Sequence, residues 1–268
     1  MYYDYHMHSN FSGDSKTDME DMIKRSIDLN LKEICFTDHL DYDIISDVEF
    51  ETDYNAYFEK INMLKSKYNG DIIIKKGIEM GVQPHILKKC SDDINSYPFD
   101  FVICSMHAID KVDLYNGTFF NDKSQFQAYE KYYETLYNIV KNYNDYSVLG
   151  HLDLIKRYGD FKSELDDKLF YDILEAILKE TIYNGKGIEI NASCFRYGLK
   201  DLTPSTKILK MYKELGGEII TTGSDSHIPS QVAYNFNYIY NKLNDLDFKY
   251  ITKFDSMNPS FISIENLI

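Results

Sequence analysis

Tyr3-Asp4-Tyr5-His6-Met7-His8 is a short β-rich run that ends in two histidines. Side chains alternate between the two faces of a strand, so residues two apart point the same way. His6 and His8 could therefore hold one metal ion together. The same arrangement, an apolar run that ends in His, Asp or Glu, recurs along the chain. This repetition makes the first pair informative and predicts that other strands converge on it.

The length and composition suit one globular α/β protein. The 268 residues are 44% hydrophobic and 27% charged, which is ordinary for a chain that buries a core. No apolar run approaches the roughly 18 residues that span a bilayer, and the N-terminus lacks the pattern of a secretory signal. We therefore expect a cytoplasmic protein without a membrane partner. The sequence carries no signal for an oligomeric state.

The charge and the cysteines narrow the function classes. A formal net charge of −14 disfavours a nucleic-acid partner, since that contact needs a basic face. A phosphate substrate would need positive charge concentrated in one pocket, which bound divalent cations would supply. The cysteines show no CxxC pairing, so we expect buried free thiols in a reducing compartment. They are Cys35, Cys90, Cys104 and Cys194.

Predicted strands and helices alternate along the whole chain. The strands are expected at residues 2–6, 33–37, 72–78, 99–105, 146–150, 187–191 and 218–222, and helices follow them, the last three at about 165–183, 204–216 and 230–243. This alternation is typical of βαβ units with a mainly parallel sheet. Seven units without a linker favour a closed or nearly closed barrel in one domain.

Local signals predict several boundaries. Thr17 and Glu20 have the spacing of a capping box and open the first helix. Pro204 is expected at the first position of a later helix, which Gly216 ends. Residues 108–124 are expected to form a loop over the site, and an apolar tail closes the chain.

Polar side chains fall at the predicted strand ends, where β/α barrels carry their functional residues. Six of the seven histidines lie there; His85, beside Pro84, does not, and we interpret it as a surface or helix-start residue. The strand-end set is His6, His8, His39, Glu79, His107, His151, Asp225 and His227. The sequence therefore predicts one site to which six or seven strands contribute.

The mixture of imidazoles and carboxylates predicts a divalent metal centre. Six histidines with Glu79, Asp225 and Asp14 suit Zn, Mn or Fe better than Ca or Mg. Nine ligands are too many for one ion, and four or five per ion predicts two or three. Glu79 could bridge two of them. Two ions roughly 3.5–4 Å apart can share a hydroxide that attacks phosphorus in line.

Several further charged residues have open roles. Asp38 could orient a ligand or only cap a turn. Asp41 and Asp43 lie in an acidic loop and are expected to be solvated, although they could also contact a cationic substrate. Arg157 and Arg196 follow strands and are expected to bind a phosphate ester, for which arginine offers two parallel donors.

For Lys156, a position on the surface is as well supported by the sequence as a role in substrate binding.

No GxSxG, P-loop or GxGxxG is present, so a serine hydrolase or a nucleotide-binding fold has no support.

Six spaced motifs run in order along nearly the whole chain. They are His6-Met7-His8-Ser9 with Ser12 and Asp14, Thr37-Asp38-His39, Gly77-Ile78-Glu79, Ser105-Met106-His107, Gly150-His151 and Ser224-Asp225-Ser226-His227. Together they resemble the polymerase-and-histidinol-phosphatase (PHP) family. The resemblance implies a distorted (β/α)7 TIM-like barrel, as one phosphoesterase domain over residues 1–268, with three metal ions at the strand ends.

The resemblance also implies which residues hold each ion. It assigns His6, His8, Glu79 and Asp225 to the first ion, Glu79, His107 and His151 to the second, and Asp14, His39 and His227 to the third. Asp14 stands where some members have a histidine, and a carboxylate can still bind a metal.

Within the family the chain is similar to the histidinol-phosphatase branch. The similarity lies in its size, the long loop after His107, residues 150–153 with Arg157, and residues 189–191 with Arg196. It implies hydrolysis of L-histidinol phosphate to L-histidinol and phosphate, in histidine biosynthesis.

In the expected mechanism a metal-bridging hydroxide attacks phosphorus, and Glu79 bridges two of the metal ions. Arg157 and Arg196 are expected to hold the phosphoryl oxygens. Asp225 or His227 would assist proton transfer to the leaving alkoxide, and the loop 108–124 would contact the organic part of the substrate.

Three alternatives stay open. The same site could act on phosphotyrosine, nucleotides or sugar phosphates. A related barrel could be an amidohydrolase, which usually needs a carboxylated lysine at a strand end, and Lys75 and Lys76 only precede Glu79. The metals could instead hold together a protein without enzymatic activity, although a structural site is usually closed with four ligands.

Overall fold

The secondary structure repeats one unit, a strand followed by a helix. A computed structural model describes residues 2–268. The helices are α1 (Met19–Asp28), α2 (Tyr54–Lys67), α3 (Leu87–Ser96), α4 (Gln125–Asn142), α5 (Tyr171–Tyr183), α6 (Thr206–Glu214) and α7 (Phe236–Asp245). The strands are β1 (Tyr3–Met7), β2 (Glu33–Phe36), β3 (His39–Asp41), β4 (Ile73–Gly81), β5 (Phe101–Ser105), β6 (Ala108–Ile109), β7 (Val112–Asp113), β8 (Val148–Leu149), β9 (Gly187–Asn191), β10 (Ile220–Gly223), β11 (Tyr250–Asp255) and β12 (Asn258–Ser263).

Seven of these strands form a parallel sheet that curves into a nearly closed barrel. Their order is β1-β2-β4-β5-β8-β9-β10, and every neighbouring pair is parallel. The short β3 also pairs with β4 and sets His39 beside Glu79. The first and last strands meet at a seam, where a bridge joins Met7 to Ser226. The barrel predicted from the sequence is therefore confirmed.

Two helix starts differ from the predicted ones because a neighbouring side chain makes the cap. Asp18, not Thr17, caps α1, and its Oδ1 accepts the N–H of Glu20 at 2.8 Å. Ser205 caps α6, so Pro204 precedes that helix and does not occupy its first position. Any nearby hydroxyl or carboxylate can satisfy the free N–H groups of a first turn, and spacing alone does not choose among them.

Two late helices begin after the predicted positions. α7 begins at Phe236 because Ala233 and Asn235 have φ of 53° and 56°, which interrupts a right-handed helix. The helix predicted from residue 165 begins at Tyr171, after the 3₁₀ turn Asp167–Phe170.

The C-terminal tail is an antiparallel hairpin, β11–β12, where the sequence predicts only an apolar tail. It covers the end of the barrel opposite the C-terminal ends of the strands. The Phe254 N–H donates to the Tyr5 hydroxyl at 2.9 Å, and its ring packs against Phe101 at 5.1 Å between centroids. Access to the barrel is therefore at the other end, the mouth.

The state of the cysteines agrees with the prediction from the sequence. All four cysteines are free and buried, as predicted. No helix within residues 2–268 is both long enough and apolar enough to cross a membrane.

Candidate metal centre

All nine predicted ligands converge at the mouth of the barrel. Each has a donor atom within 4 Å of a donor atom of another member. His6 and His8 lie at the end of β1, with their Nε2 atoms 3.0 Å apart. They point the same way, as the alternation of strand side chains predicts.

Glu79 is the centre of the cluster. Its Oε2 lies 3.1 Å from Nε2 of His6 and 3.1 Å from Nδ1 of His39. Its Oε1 lies 2.8 Å from Nε2 of His151 and 3.2 Å from Nε2 of His107. The two oxygens thus face different pairs of imidazoles, which is the arrangement expected of a carboxylate that bridges two ions.

Asp225, His227 and Asp14 complete the cluster toward solvent. Asp225 Oδ1 lies 3.4 Å from Nε2 of His8, which places it beside the first predicted ion. Asp14 Oδ2 lies 3.1 Å from Nε2 of His227 and 3.5 Å from Nε2 of His39. The carboxylate at position 14 therefore reaches both histidines with which the resemblance groups it.

The donor atoms form three compact groups, each within 4.8 Å. The groups are His6, His8 and Asp225; His39, Glu79 and His107; and His8, His39 and His227. The buried Nδ1 of His39 also has no hydrogen-bond partner within residues 2–268, although it lies near Glu79. Imidazoles and carboxylates gathered in this way fit divalent cations of the zinc type.

The charges inside the cluster are matched to cation binding. Burial alone would raise the pKa of Glu79, but His6 and His39 hold that pKa well below its usual range. Burial would likewise raise the pKa of Asp225, and His6 holds it well below its usual range. Burial and the neighbouring imidazoles lower the pKa of His8 to about 3, so its nitrogen lone pair is free at neutral pH. The centre thus holds ionised carboxylates and at least one neutral imidazole.

Three buried side chains support the ligands from behind, and the sequence did not assign them there. Glu189 Oε1 lies 2.5 Å from Nδ1 of His6. Asp41 Oδ1 lies 2.8 Å from Nδ1 of His107, so Asp41 is buried and not solvated as expected. Ser12 Oγ lies 3.0 Å from Nδ1 of His8 and contacts Asp38 at 2.9 Å.

The two roles left open for Asp38 are therefore both present. It accepts the N–H of Ser9, which holds the turn after β1, and through Ser12 it orients His8. Asp43 is exposed as predicted, and its Oδ2 lies 2.8 Å from Nε2 of His85 on the surface, away from the cluster.

Two arginines line the cavity above the ligands. Arg157 is buried, and its Nη2 donates to Ser193 Oγ at 2.6 Å and to Asn191 Oδ1 at 3.1 Å. Arg196 donates to the main-chain carbonyls of Ser224 at 2.9 Å and Asp225 at 2.7 Å. Both are placed at the site as predicted, and Arg196 also supports the loop that carries Asp225.

Lys156 is not at the surface. Its Nζ lies 2.7 Å from Asp153 Oδ2 and 2.7 Å from Asp167 Oδ1, inside the wall behind Arg157. Lys156 is not among the residues that line the cavity, so it supports the wall from behind and does not face the space in which a substrate would bind.

The cavity over the cluster has a volume of about 470 Å³. One wall comes from the loop 108–124, of which Asp113 and Tyr115 line the cavity, whereas Phe119 is buried in the core. The loop after β3, expected to be solvated and acidic, adjoins this wall, since the Ile45 N–H donates to the Lys111 carbonyl at 2.8 Å. That loop contributes an apolar stretch of wall that was not predicted. It consists of Ile44, Val48 and Phe50.

Proteins of known family resemble this chain over most of its length. A family model described as the PHP domain matches residues 4–193. The chain is 35% identical to the histidinol-phosphatase of Lactococcus lactis over 231 residues, which is 84% of each protein. It is 31% identical to a probable histidinol-phosphatase of Clostridium acetobutylicum, over 88% of this chain and 90% of that one.

Solved structures agree with this similarity. The crystal structure of the Lactococcus lactis histidinol phosphate phosphatase, in complex with zinc, L-histidinol and phosphate, superposes with a TM-score of 0.89. The two are 32% identical, and the match covers 96% of this chain and 98% of that one. A putative histidinol phosphatase from Listeria monocytogenes, at 21% identity and a TM-score of 0.73, shares the fold.

Proposed function

Because this chain belongs to the PHP domain family, we propose that it hydrolyses L-histidinol phosphate to L-histidinol and phosphate, a reaction of histidine biosynthesis. The observation that carries the proposal is the cluster of imidazoles and carboxylates beneath a cavity lined by Arg157 and Arg196. The related phosphatase from Lactococcus lactis holds zinc, L-histidinol and phosphate together. The whole chain acts as one phosphoesterase domain.

The nine predicted ligands hold two or three divalent cations, with zinc the first candidate. His6, His8, Glu79 and Asp225 form one position, and Glu79 reaches His107 and His151 for the next. Asp14, His39 and His227 form the third. Divalent cations held there supply positive charge to the phosphoryl oxygens and lower the pKa of water at the site.

Arg157 holds the phosphate from a position beside the metal ligands, where its Nη1 lies 3.4 Å from Asp225 Oδ2. Its Nη2 is held by Ser193 and Asn191, and its buried Nε has no hydrogen-bond partner within residues 2–268. A buried donor without a partner is costly unless the substrate satisfies it. Arg157 therefore presents a free N–H to a phosphoryl oxygen. Arg196 lines the same cavity and adds a second positive charge.

Asp225 and His227 are the two residues placed to move a proton to the leaving alkoxide. Both line the cavity, and His227 is the more exposed. Asp225 Oδ2 accepts from Ser193 Oγ at 3.0 Å and from Asn191 Nδ2 at 3.2 Å, which favours its ionised form. Asp225→Asn and His227→Asn, compared by the pH dependence of kcat, separate the two roles.

Asp113 is proposed to recognise the amino group of the substrate. It is buried on the cavity wall, and its Oδ1 accepts the N–H of Tyr115 at 2.8 Å. L-Histidinol carries an ammonium group, and a buried carboxylate pairs with a cation more strongly than a solvated one. The aromatic rings of Tyr115 and Tyr158 and the apolar wall can enclose the imidazole.

The amidohydrolase alternative finds no support in the positions of the lysines. Lys75 Nζ lies 2.5 Å from Asp255, on the hairpin that closes the far end of the barrel. Lys76 lies over the ring of Phe58. Neither residue lines the cavity.

The test combines metal analysis of the purified protein with a phosphate-release assay. We expect two or three divalent ions per chain and kcat/KM for L-histidinol phosphate at least roughly 100-fold above that for phosphotyrosine, a nucleotide and a sugar phosphate. Asp113→Asn should reduce this preference and leave the metal content unchanged. Good turnover of another ester beside undetectable turnover of L-histidinol phosphate would overturn the proposed substrate.

A further inference from the structure

One buried carboxylate near the cluster is outside the nine predicted ligands. Glu189 lies in β9, and its side chain is almost entirely removed from solvent. Its two oxygens have different partners. Oε1 lies 2.5 Å from Nδ1 of His6, and Oε2 accepts the main-chain N–H of His151 at 2.9 Å.

The contact with His6 fixes which ring nitrogen faces the cluster. A carboxylate accepts, so Nδ1 of His6 carries the proton that it donates to Glu189. The lone pair of Nε2 is then directed at Glu79 and His8, 3.1 and 3.0 Å away. A ring nitrogen can bind a metal only through such a lone pair, and carboxylates that hold the other nitrogen raise its basicity.

The contact with His151 acts on the main chain. His151 has φ of 23°, a region that residues with a side chain rarely adopt. The hydrogen bond from its N–H to Glu189 holds this conformation, in which Nε2 lies 2.8 Å from Glu79 Oε1. Glu189 therefore sets the direction of two ligands from two different strands.

The surroundings leave space for this carboxylate. A Cβ at Gly223 would overlap Glu189 Oε1 and the His6 side chain. On the other side, Asn191 Nδ2 lies 3.3 Å from Glu189 Oε2 and 3.2 Å from Asp225 Oδ2. The pocket around Glu189 thus admits a carboxylate and supplies a further donor to it.

We infer that Glu189 is a positioning residue that couples the first two metal positions, by directing His6 into one and His151 into the other. The inference rests on the metal centre proposed above. A carboxylate is needed because both oxygens must accept. Glutamine offers one acceptor and one donor, so it can satisfy His6 or the N–H of His151 but not both.

The experiment is a zinc titration of the full chain against a chelating dye, with wild type, Glu189→Gln and the control Glu33→Gln. Glu33 is a buried glutamate of β2 at the closed end of the barrel, bonded to Tyr5, so its substitution reproduces the loss of a buried charge without touching the site. Glu189→Gln is expected to weaken zinc binding at two positions by roughly 10- to 100-fold. Glu33→Gln should bind zinc as the wild type does.

A kinetic readout separates positioning from loss of fold. Glu189→Gln should lower kcat for L-histidinol phosphate at non-saturating zinc, and added zinc should restore a large part of it. A purely structural role predicts lower thermal stability without this dependence on zinc. Wild-type zinc affinity at both positions would overturn the inference.

A second variant covers the case in which Glu189→Gln does not fold. Glu189→Asp keeps the charge but is one methylene shorter, so it should reach only one partner and weaken zinc binding at one position. Unchanged zinc binding by this variant would also overturn the inference. If the wild type itself bound fewer than two divalent ions, the proposed metal centre would fail first, and the two failures are distinguishable.

Discussion

The two ends of the metal centre differ in how they are held. At the inner end, His6, His8 and Glu79 are fully buried. At the rim, the side chains of Asp14 and His227 are 35% and 25% exposed. Buried ligands cannot be replaced by water, whereas rim ligands compete with it. The difference predicts a permanent inner pair of cations and a more exchangeable outer one.

The supporting contacts follow the same gradient. His6 is held by Glu189, His107 by Asp41, and His8 by Ser12, each through the ring nitrogen that faces away from the cluster. Nδ1 of the outer His227 lies instead 3.1 Å from the carbonyl of Asp225, in its own loop. Supported imidazoles lose less freedom on binding and bind more tightly.

The largest expected effect is at the inner end. Glu79→Gln removes the charge that both oxygens of this residue offer to four imidazoles. We expect kcat/KM to fall roughly 10³-fold, because metal ions held by a bridging carboxylate stabilise the transition state by several kcal/mol. Metal analysis should show the loss of the two inner ions. Retention of all ions by Glu79→Gln would contradict the division into two ends.

The wall behind Arg157 can be tested through the free energy of unfolding. Lys156→Met leaves Asp153 and Asp167 buried without their cation, and should lower the free energy of unfolding by about 3 kcal/mol. The exposed Lys168→Met is the matched control, with an expected change within roughly 0.5 kcal/mol. Denaturant unfolding of both variants measures the difference, and equal values would show that the wall does not depend on this ion pair.

The stability that Lys156 gains from Asp153 and Asp167 should depend on pH. Burial alone would lower the pKa of Lys156, but Asp153 and Asp167 raise it above its ordinary value of 10.5. Burial also raises the pKa of Asp153. The group that titrates at alkaline pH is therefore the lysine. A raised lysine pKa gives stability that is complete below pH 10.5 and lost as the pH rises through the folded value. The stability difference between wild type and Lys156→Met should therefore shrink as the pH rises through the folded pKa of Lys156.

The arginines are expected to differ by about tenfold. Arg157→Lys cannot reproduce the fork that contacts Ser193 and Asn191, and should lower kcat/KM roughly 100-fold. Arg196→Lys should lower kcat/KM roughly tenfold, because two of the donors of Arg196 already bind loop carbonyls and are not available to the phosphate. Steady-state assays on L-histidinol phosphate measure both. A larger effect at Arg196 would mean that the Asp225 loop, more than the buried guanidinium, determines phosphate binding.

An effect as small as that of Arg196→Lys is expected at the rim. Asp14→Asn should weaken the outer cation and lower activity roughly tenfold, while the inner ions stay bound. In the wild type, limiting chelator should remove one ion before the other two. The exposed Asp21→Asn is the control. Simultaneous loss of all ions would show that the two ends form one cooperative unit.

Most of the ligands could be predicted from the sequence because they stand at or near the ends of strands. His6, His107 and His151 follow apolar runs, and the alternation of strands and helices places such ends at one mouth. The supporting carboxylates could not be assigned, since their partners lie on other strands. Glu189 does leave a local signal, an acid between the two isoleucines of the buried strand β9.

The parts of the fold that the sequence misplaced depend on contacts between distant segments. The hairpin β11–β12 is stabilised against Tyr5 and Phe101 at the closed end of the barrel, and neither contact is visible in the local pattern. Asp41 was expected in solvent because its neighbours are acidic. Its partner is His107, which another strand supplies.

The seam of the barrel bears on how the protein is made. His6 and His8 leave the ribosome before Asp225 and His227, which emerge on the order of 10 to 40 s later at ordinary elongation rates. The two groups meet where Asp225 N–H donates to the His6 carbonyl at 2.8 Å and His8 N–H donates to the Ser226 carbonyl at 2.8 Å. A nascent chain therefore carries an incomplete chelate until its last barrel strand arrives. We therefore expect the proposed metal positions that need Asp225 or His227 to be completed only when the barrel closes.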